Sequence, residues 1–459
     1  MSSTKLFDHF EAVGAKAWKQ QIQVALKGED YNEKLVWESP EGIKVKPFYH
    51  AEDIANITPP PASHKKAWKI GEAIYCLEVI TANSKAQEVI RKGVQSLQFS
   101  IPSDTIDPVQ LLKGIPLEQV VIHFRLQFLA ADYIAQLLEI QKKNKGVFYF
   151  HSDIIGHLAK QGNWYTNLQE DHKQLEAIVS LCNTNTGVSP LSVDMALYQN
   201  AGGNMVQELA YAVAHGHEYL HHFAKSPFPG ICFNVAIGTN YFFEIAKLRA
   251  LRWLWQTVAE EYKVTQACHI LATPTKRNKT LYDYNTNMLR TTTECMAAIL
   301  GGADTICNLR YDAIYHKDND FGARIARNQL LILREESYFD QVENPSDGSY
   351  YIESLTKQLA EKALVLFKTI EAGGGFLKQL KSLTIQKKIK ESAQKEQQAF
   401  DSGEETLVGT NAYTNPADLM KTSLELHPFV QKNVRKTLIE PLIERRLAES
   451  LEQKRLNDE

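Results

Sequence analysis

Residues 217–221 read His217-Glu218-Tyr219-Leu220-His221. On a helix, this H-E-x-x-H spacing puts two imidazoles on one face, where they could grip a zinc ion. The glutamate beside them could then activate a water. The pattern fixes three positions of five, and its surroundings, AHGHEYLHHF, are rich in histidine. A zinc site would also need a third ligand, for which Glu244 of NYFFE is the candidate. A second constellation lies elsewhere. HSDIIGH carries His151, Asp153 and His157, and His269 precedes ATPTKRNK. His151, Asp153 and His269 are the residue types of an acid–base site, but spacing alone does not bring them together.

Whether either set can act depends on the elements that carry it. From residue 70 onward, β-rich apolar runs alternate with segments of helical periodicity. The expected strands are 74–80, 96–102, 118–124, 146–152, 191–196, 231–237, 265–271 and 304–310. Val206, Leu209, Ala210, Val213 and Leu220 share a helical face after the fifth strand, as do Ile245, Leu248, Leu251, Trp255 and Val258 after the sixth. The helix holding Met288, Met296, Ala297 and Leu300 stops at Gly301-Gly302. Eight strands with eight following helices predict an α/β fold, the (β/α)8 TIM barrel. The rival, an open doubly wound sheet, lacks any G-x-G-x-x-G after a strand. Barrel sites gather at the C-terminal ends of strands, whereas His217 and His221 fall far down the helix after strand five. HEYLH is therefore read as a helix end that matches the zinc pattern by coincidence. MALYQNAGGN (195–204), which does follow strand five, offers no acid, base or nucleophile at Met195, Ala196 or Leu197.

The remaining sequence bounds the function. The 459 residues carry a net charge of −3, which indicates no preference for nucleic acid or an anionic membrane. No apolar run approaches the roughly 20 residues needed to span a bilayer. MSSTKLFDHFEAVGAKAWKQ lacks the apolar core of a secretory signal. The six cysteines form no C-x-x-C and read as reduced, buried thiols of a cytoplasmic protein. Residues 1–69 read as an N-terminal arm with a helix near 10–27 and a Pro-rich stretch, TPPPAS, at 58–63. Residues 70–342 read as the barrel, and 343–459 as a C-terminal helical extension ending in a charged, solvated surface helix.

Several stretches are more specific. RTTTECMAAILGGAD (290–304), FGARIARNQLLILREES (321–337), NPSDGSYYIESLT (344–356), IGTNYFFEIAKLRALRWLW (237–255), EGIKVKPFYHAED (41–53) and LVGTNAY (407–413) resemble the methylmalonyl-CoA mutase family, in the family's order. The resemblance implies a barrel threaded by coenzyme A, an arm wrapped on a partner subunit, and a separate cobalamin-binding domain in the catalytic chains. This sequence departs from that pattern. The family's cobalt-ligand motif, D-x-H-x-x-G, occurs nowhere, and no cobalamin domain is expected after RRLAESLEQ. The Tyr-His pair of the family's S-G-Y-H-M-Q-E-A-G run falls on Ala196 and Leu197. The arginine of R-L-S-F falls on Gly230, and the arginine that clamps the substrate carboxylate falls near Gln161 or Gly162. H-S-Q-T-S-G keeps only its histidine, His269, and T-I-Q-N-D becomes residues 149–153.

The resemblance thus implies the small, non-catalytic subunit of a heterodimeric mutase. Its large catalytic partner would hold adenosylcobalamin and interconvert succinyl-CoA and (R)-methylmalonyl-CoA. No catalytic residues are expected in this chain; Asp153, Gln199 and His269 would be remnants of a substrate site, and His217, Glu218 and His221 a decoy. Two other functions stay open. A zinc hydrolase would carry stoichiometric zinc and lose activity on Glu218→Gln. An independent acyl-CoA-binding protein would bind CoA esters without a partner.

Overall fold

In a strand, successive side chains point to opposite faces, and here the two faces differ in chemistry. A computed structural model describes residues 11, 13–57, 68–431 and 434–459; the Pro-rich stretch at 58–63 lies outside them. Eight parallel strands close a barrel: β1 (Lys69–Tyr75), β2 (Ser96–Ile101), β3 (Val121–Leu126), β4 (Val147–Ser152), β5 (Val188–Asp194), β6 (Ile231–Ile237), β7 (His269–Pro274) and β8 (Thr305–Cys307). β8 pairs with β1 through Thr305↔Lys69 to complete the ring. Leu97 and Phe99, Ile122 and Phe124, Phe148 and Phe150, and Phe233 and Val235 join the core between the strands and the outer helices. The alternate positions hold Gln98, His123, Tyr149, His151, Cys232 and Asn234. The bore is therefore largely polar and aromatic, unlike the branched aliphatic layers that fill most such barrels.

All eight expected strands exist, the sixth at its expected bounds and the other seven with shifted ends. The first runs 69–75 rather than 74–80, because Glu78 caps the next helix by accepting from the Ile80 and Thr81 amides at 3.0 and 2.6 Å. Leu77 and Ile80, which looked like strand residues, are exposed at the start of that helix.

Four helices matter below: α1 (Ile154–Gln161), α2 (Met205–His222), α3 (Tyr241–Glu261) and α4 (Tyr350–Ala372). α4 belongs to the C-terminal extension and packs on both α2 and α3. Arg249 of α3 fixes it through Asp347 (2.5 Å) and Glu353 (2.6 Å).

The chain ends in a helix that keeps one face exposed, as expected, but the segment before it is packed on the barrel. Residues 438–447 form a strap over the C-terminal mouth of the barrel, pinned to the segments that follow three strands. Leu438 and Ile439 donate to the Gly162 carbonyl (2.9 and 3.1 Å), Leu442 to Ala159 (2.8 Å), Arg445 to Asn200 (2.9 Å) and Leu447 to Arg277 (2.8 Å). Ile439 and Leu442 enter the main core. The terminal helix, Glu449–Asp458, buries Glu452, which pairs with Arg446 at 2.6 Å and accepts from the Leu281 amide at 2.8 Å. Arg446, Glu449 and Glu452 have partners inside the fold, whereas Lys454 and Asp458 stay exposed.

Candidate functional site

The bore brings together residues distant in sequence. His123 on β3 and His269 on β7 stand on opposite walls, yet their ring centroids are 5.2 Å apart. Tyr149 on β4 stacks on His123 at 4.8 Å and lies 4.2 Å from His269. Three rings therefore meet on the barrel axis. His123 Nδ1 is 3.1 Å from His151 Nε2, and Asn234 Nδ2 lies 3.0 Å from His151 Nδ1. His269 Nε2 is 3.2 Å from the Thr305 hydroxyl. Burial, reinforced by the neighbouring histidines and Arg125, holds the His123 imidazole well below its ordinary pKa. Burial and Arg125 do the same for His151.

At the C-terminal mouth, Asp153 is enclosed. It accepts from the amides of Gly156 (2.7 Å) and Asp194 (3.0 Å) and from the Tyr219 hydroxyl (2.7 Å), and pairs with His215 Nε2 at 2.9 Å. The Tyr198 hydroxyl lies 2.9 Å from His215 Nδ1. Burial alone would raise the Asp153 carboxyl; His215 and these hydrogen bonds outweigh it and hold the group below the usual carboxylate range. Gln199 is equally engaged. Its amide nitrogen faces Glu244 at 3.3 Å and its oxygen accepts from Lys247 at 3.3 Å. Lys247 is fully buried, at 2.7 Å from Glu244, 2.8 Å from Glu208 and 2.9 Å from the Ala236 carbonyl. The structure thus brings His151 and His269 into one cluster but turns Asp153 away from it. His157 stacks on Tyr165 at 3.5 Å.

The HEYLH residues part company. Both ring nitrogens of His217 are engaged, Nδ1 by Glu371 at 3.0 Å and Nε2 by the Tyr262 hydroxyl at 2.8 Å. Glu218 accepts from the Leu377 amide at 2.8 Å, at the start of the short helix Phe376–Lys381, and His221 is exposed. Glu244 is committed to Lys247 and the Gly238 amide. Among the described residues, no grouping of three potential ligands includes His217, Glu218 or His221.

Sequence reasoning missed His123 and Cys232, although alternation in VVIHF and ICFNV places both on the face opposite the apolar core. It also missed Lys247 with its two glutamates, whose members lie 39 and 3 residues apart in sequence.

The eight-stranded parallel barrel, its strapped mouth and its polar bore define an α/β-barrel protein. The chain belongs to the methylmalonyl-CoA mutase family: residues 82–457 match the family model. It is 35% identical over 450 residues to the methylmalonyl-CoA mutase small subunit of Porphyromonas gingivalis, covering 90% of this chain and 71% of that one. It is 28% identical to a methylmalonyl-CoA mutase of Cereibacter sphaeroides (86% of this chain, 64% of the relative) and 30% identical to that of Rhizobium meliloti (85% and 63%). The chain therefore spans less than two thirds of the length of these last two relatives.

Proposed function

We propose that this chain is the small, non-catalytic subunit of a two-chain methylmalonyl-CoA mutase. Its larger partner holds adenosylcobalamin and interconverts succinyl-CoA and (R)-methylmalonyl-CoA. The observation that carries the reading is the closed bore: Tyr149, His123 and His269 sit on the axis at centroid spacings of 4.2–5.2 Å, where a pantetheine arm would have to pass. The polar groups a substrate would need are also missing. Leu197 is buried at the family's histidine position, and Gly230 replaces an arginine. Gln161 lies near the clamp position and is held by Arg435, whose Nη2 is 2.6 Å from its side-chain oxygen. Losing a bidentate arginine–carboxylate contact removes about 1.5–3 kcal/mol and the orientation it gives.

The residues at the mouth do not fit the family's cofactor. The strap covers the loops after β4, β5 and β7, and the nearby histidines, His157 and His215, are stacked or paired inside the chain. The cofactor would supply the radical chemistry, and the partner would hold it.

The arm supports the partner reading. Its helix, Ala15–Ala25, buries none of its residues, and Val13, Trp18 and Val24 are exposed. A cytoplasmic location belongs to the same proposal, supported by six buried cysteines outside any disulfide. No described helix is long and apolar enough to cross a membrane.

The test is turnover of succinyl-CoA with adenosylcobalamin by this chain alone, by the larger chain alone and by both. The proposal expects none from this chain and full activity from the pair. Turnover by this chain alone, or saturable CoA-ester binding without the partner, would overturn it.

A further inference from the structure

We propose that His123, Cys232 and His269 form a binding site for one thiophilic transition-metal ion, zinc in the first instance, inside the barrel bore. The inference rests on this chain's own side chains and does not depend on the mutase reading.

Cys232 and His269 are register partners on β6 and β7, so their side chains leave neighbouring strands at one level. His123 reaches them from the opposite wall. One ligand atom from each lies within 4.8 Å of the other two, and all three residues are buried. A tetrahedral zinc ion with two imidazoles and a thiolate has ligand–ligand edges of roughly 3.3–3.8 Å. Side-chain rotations drawing the three donors in by about an ångström would reach that geometry. Two nitrogens and a sulfur suit zinc and its softer neighbours, and they suit magnesium and calcium poorly.

The surroundings resemble an outer ligand shell. His123 is fully buried, and its Nε2 has no hydrogen-bond partner among the described residues, nor does Asn234 Oδ1. An orphaned buried nitrogen is costly to keep, and a metal ion would engage it. If the Asn234 amide turns over, the chain can run His123 Nδ1–H to His151 Nε2, then His151 Nδ1–H to Asn234 Oδ1. That arrangement leaves a lone pair on His123 Nε2 and satisfies the orphaned oxygen. Asp304 Oδ2 lies 3.8 Å from His269 Nδ1 and is itself fixed by Arg252 at 2.8 Å and the Ile270 amide at 2.7 Å. At that distance Asp304 acts on the His269 imidazole through its charge and not through a hydrogen bond.

Two depressions at the N-terminal end of the barrel provide the approach. Both are lined by Tyr149, His269 and Asp304. Burial keeps the Cys232 thiol protonated in the metal-free chain. Binding would therefore move the Sγ proton to the buffer as the S–metal bond forms.

The test uses the purified full-length chain, stripped of metal and titrated with cobalt(II), then zinc(II). The expected result is one cobalt per chain, with the intense visible bands of a tetrahedral site and a near-ultraviolet thiolate-to-cobalt band, both lost when zinc displaces it. Cys232→Ser abolishes the thiolate band. Asn234→Ala, acting through His151, weakens binding roughly 10–100-fold. A variant carrying both His217→Ala and His221→Ala leaves spectrum and affinity unchanged. Failure of the unaltered chain to take up cobalt overturns the proposal. So does a spectrum that survives Cys232→Ser or one that disappears with His217 and His221.

Discussion

Replacing Lys247 by methionine tests how the barrel is held at its C-terminal mouth. The Lys247 ammonium lies fully buried between Glu208 (2.8 Å) and Glu244 (2.7 Å), with the Ala236 carbonyl of β6 at 2.9 Å. Methionine matches the stem but leaves two buried carboxylates facing each other without a cation. Breaking a buried pair from one side costs about 3–5 kcal/mol, because the remaining charge is uncompensated. The cost should depend on pH. Burial already pushes the Glu208 carboxyl up, with Lys247 pulling the other way, so losing the lysine raises it further. The folded variant then binds more protons than its unfolded chain above the ordinary carboxylate range. Its stability therefore rises as pH falls, by about 1.4 kcal/mol per pH unit for each carboxylate that is protonated. Urea unfolding followed by circular dichroism at pH 7.5 and 5.5 measures both quantities. The expected outcome is a loss of about 3–5 kcal/mol at pH 7.5, in a variant whose own stability rises by at least ~1.4 kcal/mol from pH 7.5 to pH 5.5. A loss under about 1 kcal/mol, or a variant whose stability does not rise as pH falls, would refute the reasoning.

Three further outcomes follow from contacts of the same kind. Asp153→Asn keeps the shape but removes a charge that accepts three hydrogen bonds and pairs with His215, and should cost about 1.5–3 kcal/mol. Because the folded Asp153 pKa is depressed, the difference from the unaltered chain should be constant above pH ~5 and fade as pH falls below the unfolded value near ~3.9, read from acid unfolding midpoints. Gly162→Ala places a Cβ 2.7 Å from the Ile439 carbonyl oxygen at a φ of +75°; it should cost about 1–2 kcal/mol and speed proteolysis within the strap, visible by mass mapping of limited digests. Glu218→Ala removes the acceptor for the Leu377 amide and should cost about 1 kcal/mol by urea midpoint, while turnover of the reconstituted two-chain mutase stays unchanged.

Much of the barrel was legible because alternation writes it directly. VFYFHS shows Phe148 and Phe150 on one face and Tyr149 and His151 on the other, and the structure keeps that division. The first strand was misplaced because Leu77 and Ile80 are apolar yet exposed, so hydrophobicity did not report burial there. The strap was illegible because its hydrogen bonds run to backbone carbonyls about 170 to 280 residues away, which carry no side-chain signature. Individual site residues were readable by type but not by direction. His151 and His269 do meet, through His123, whereas Asp153 faces His215 and Tyr219. HEYLH was readable as a spacing, but the partners that occupy His217 and Glu218, namely Glu371, Tyr262 and Leu377, come from distant segments.

The proposed role as partner of a larger, cobalamin-carrying chain is tested most directly by native mass spectrometry of the chain isolated gently from its own cells. The expected result is a one-to-one complex with a larger chain that carries the cobalamin. A free chain or a homodimer would contradict it, and one that carried a zinc ion lost on replacing His217 and His221 would make HEYLH the working site instead.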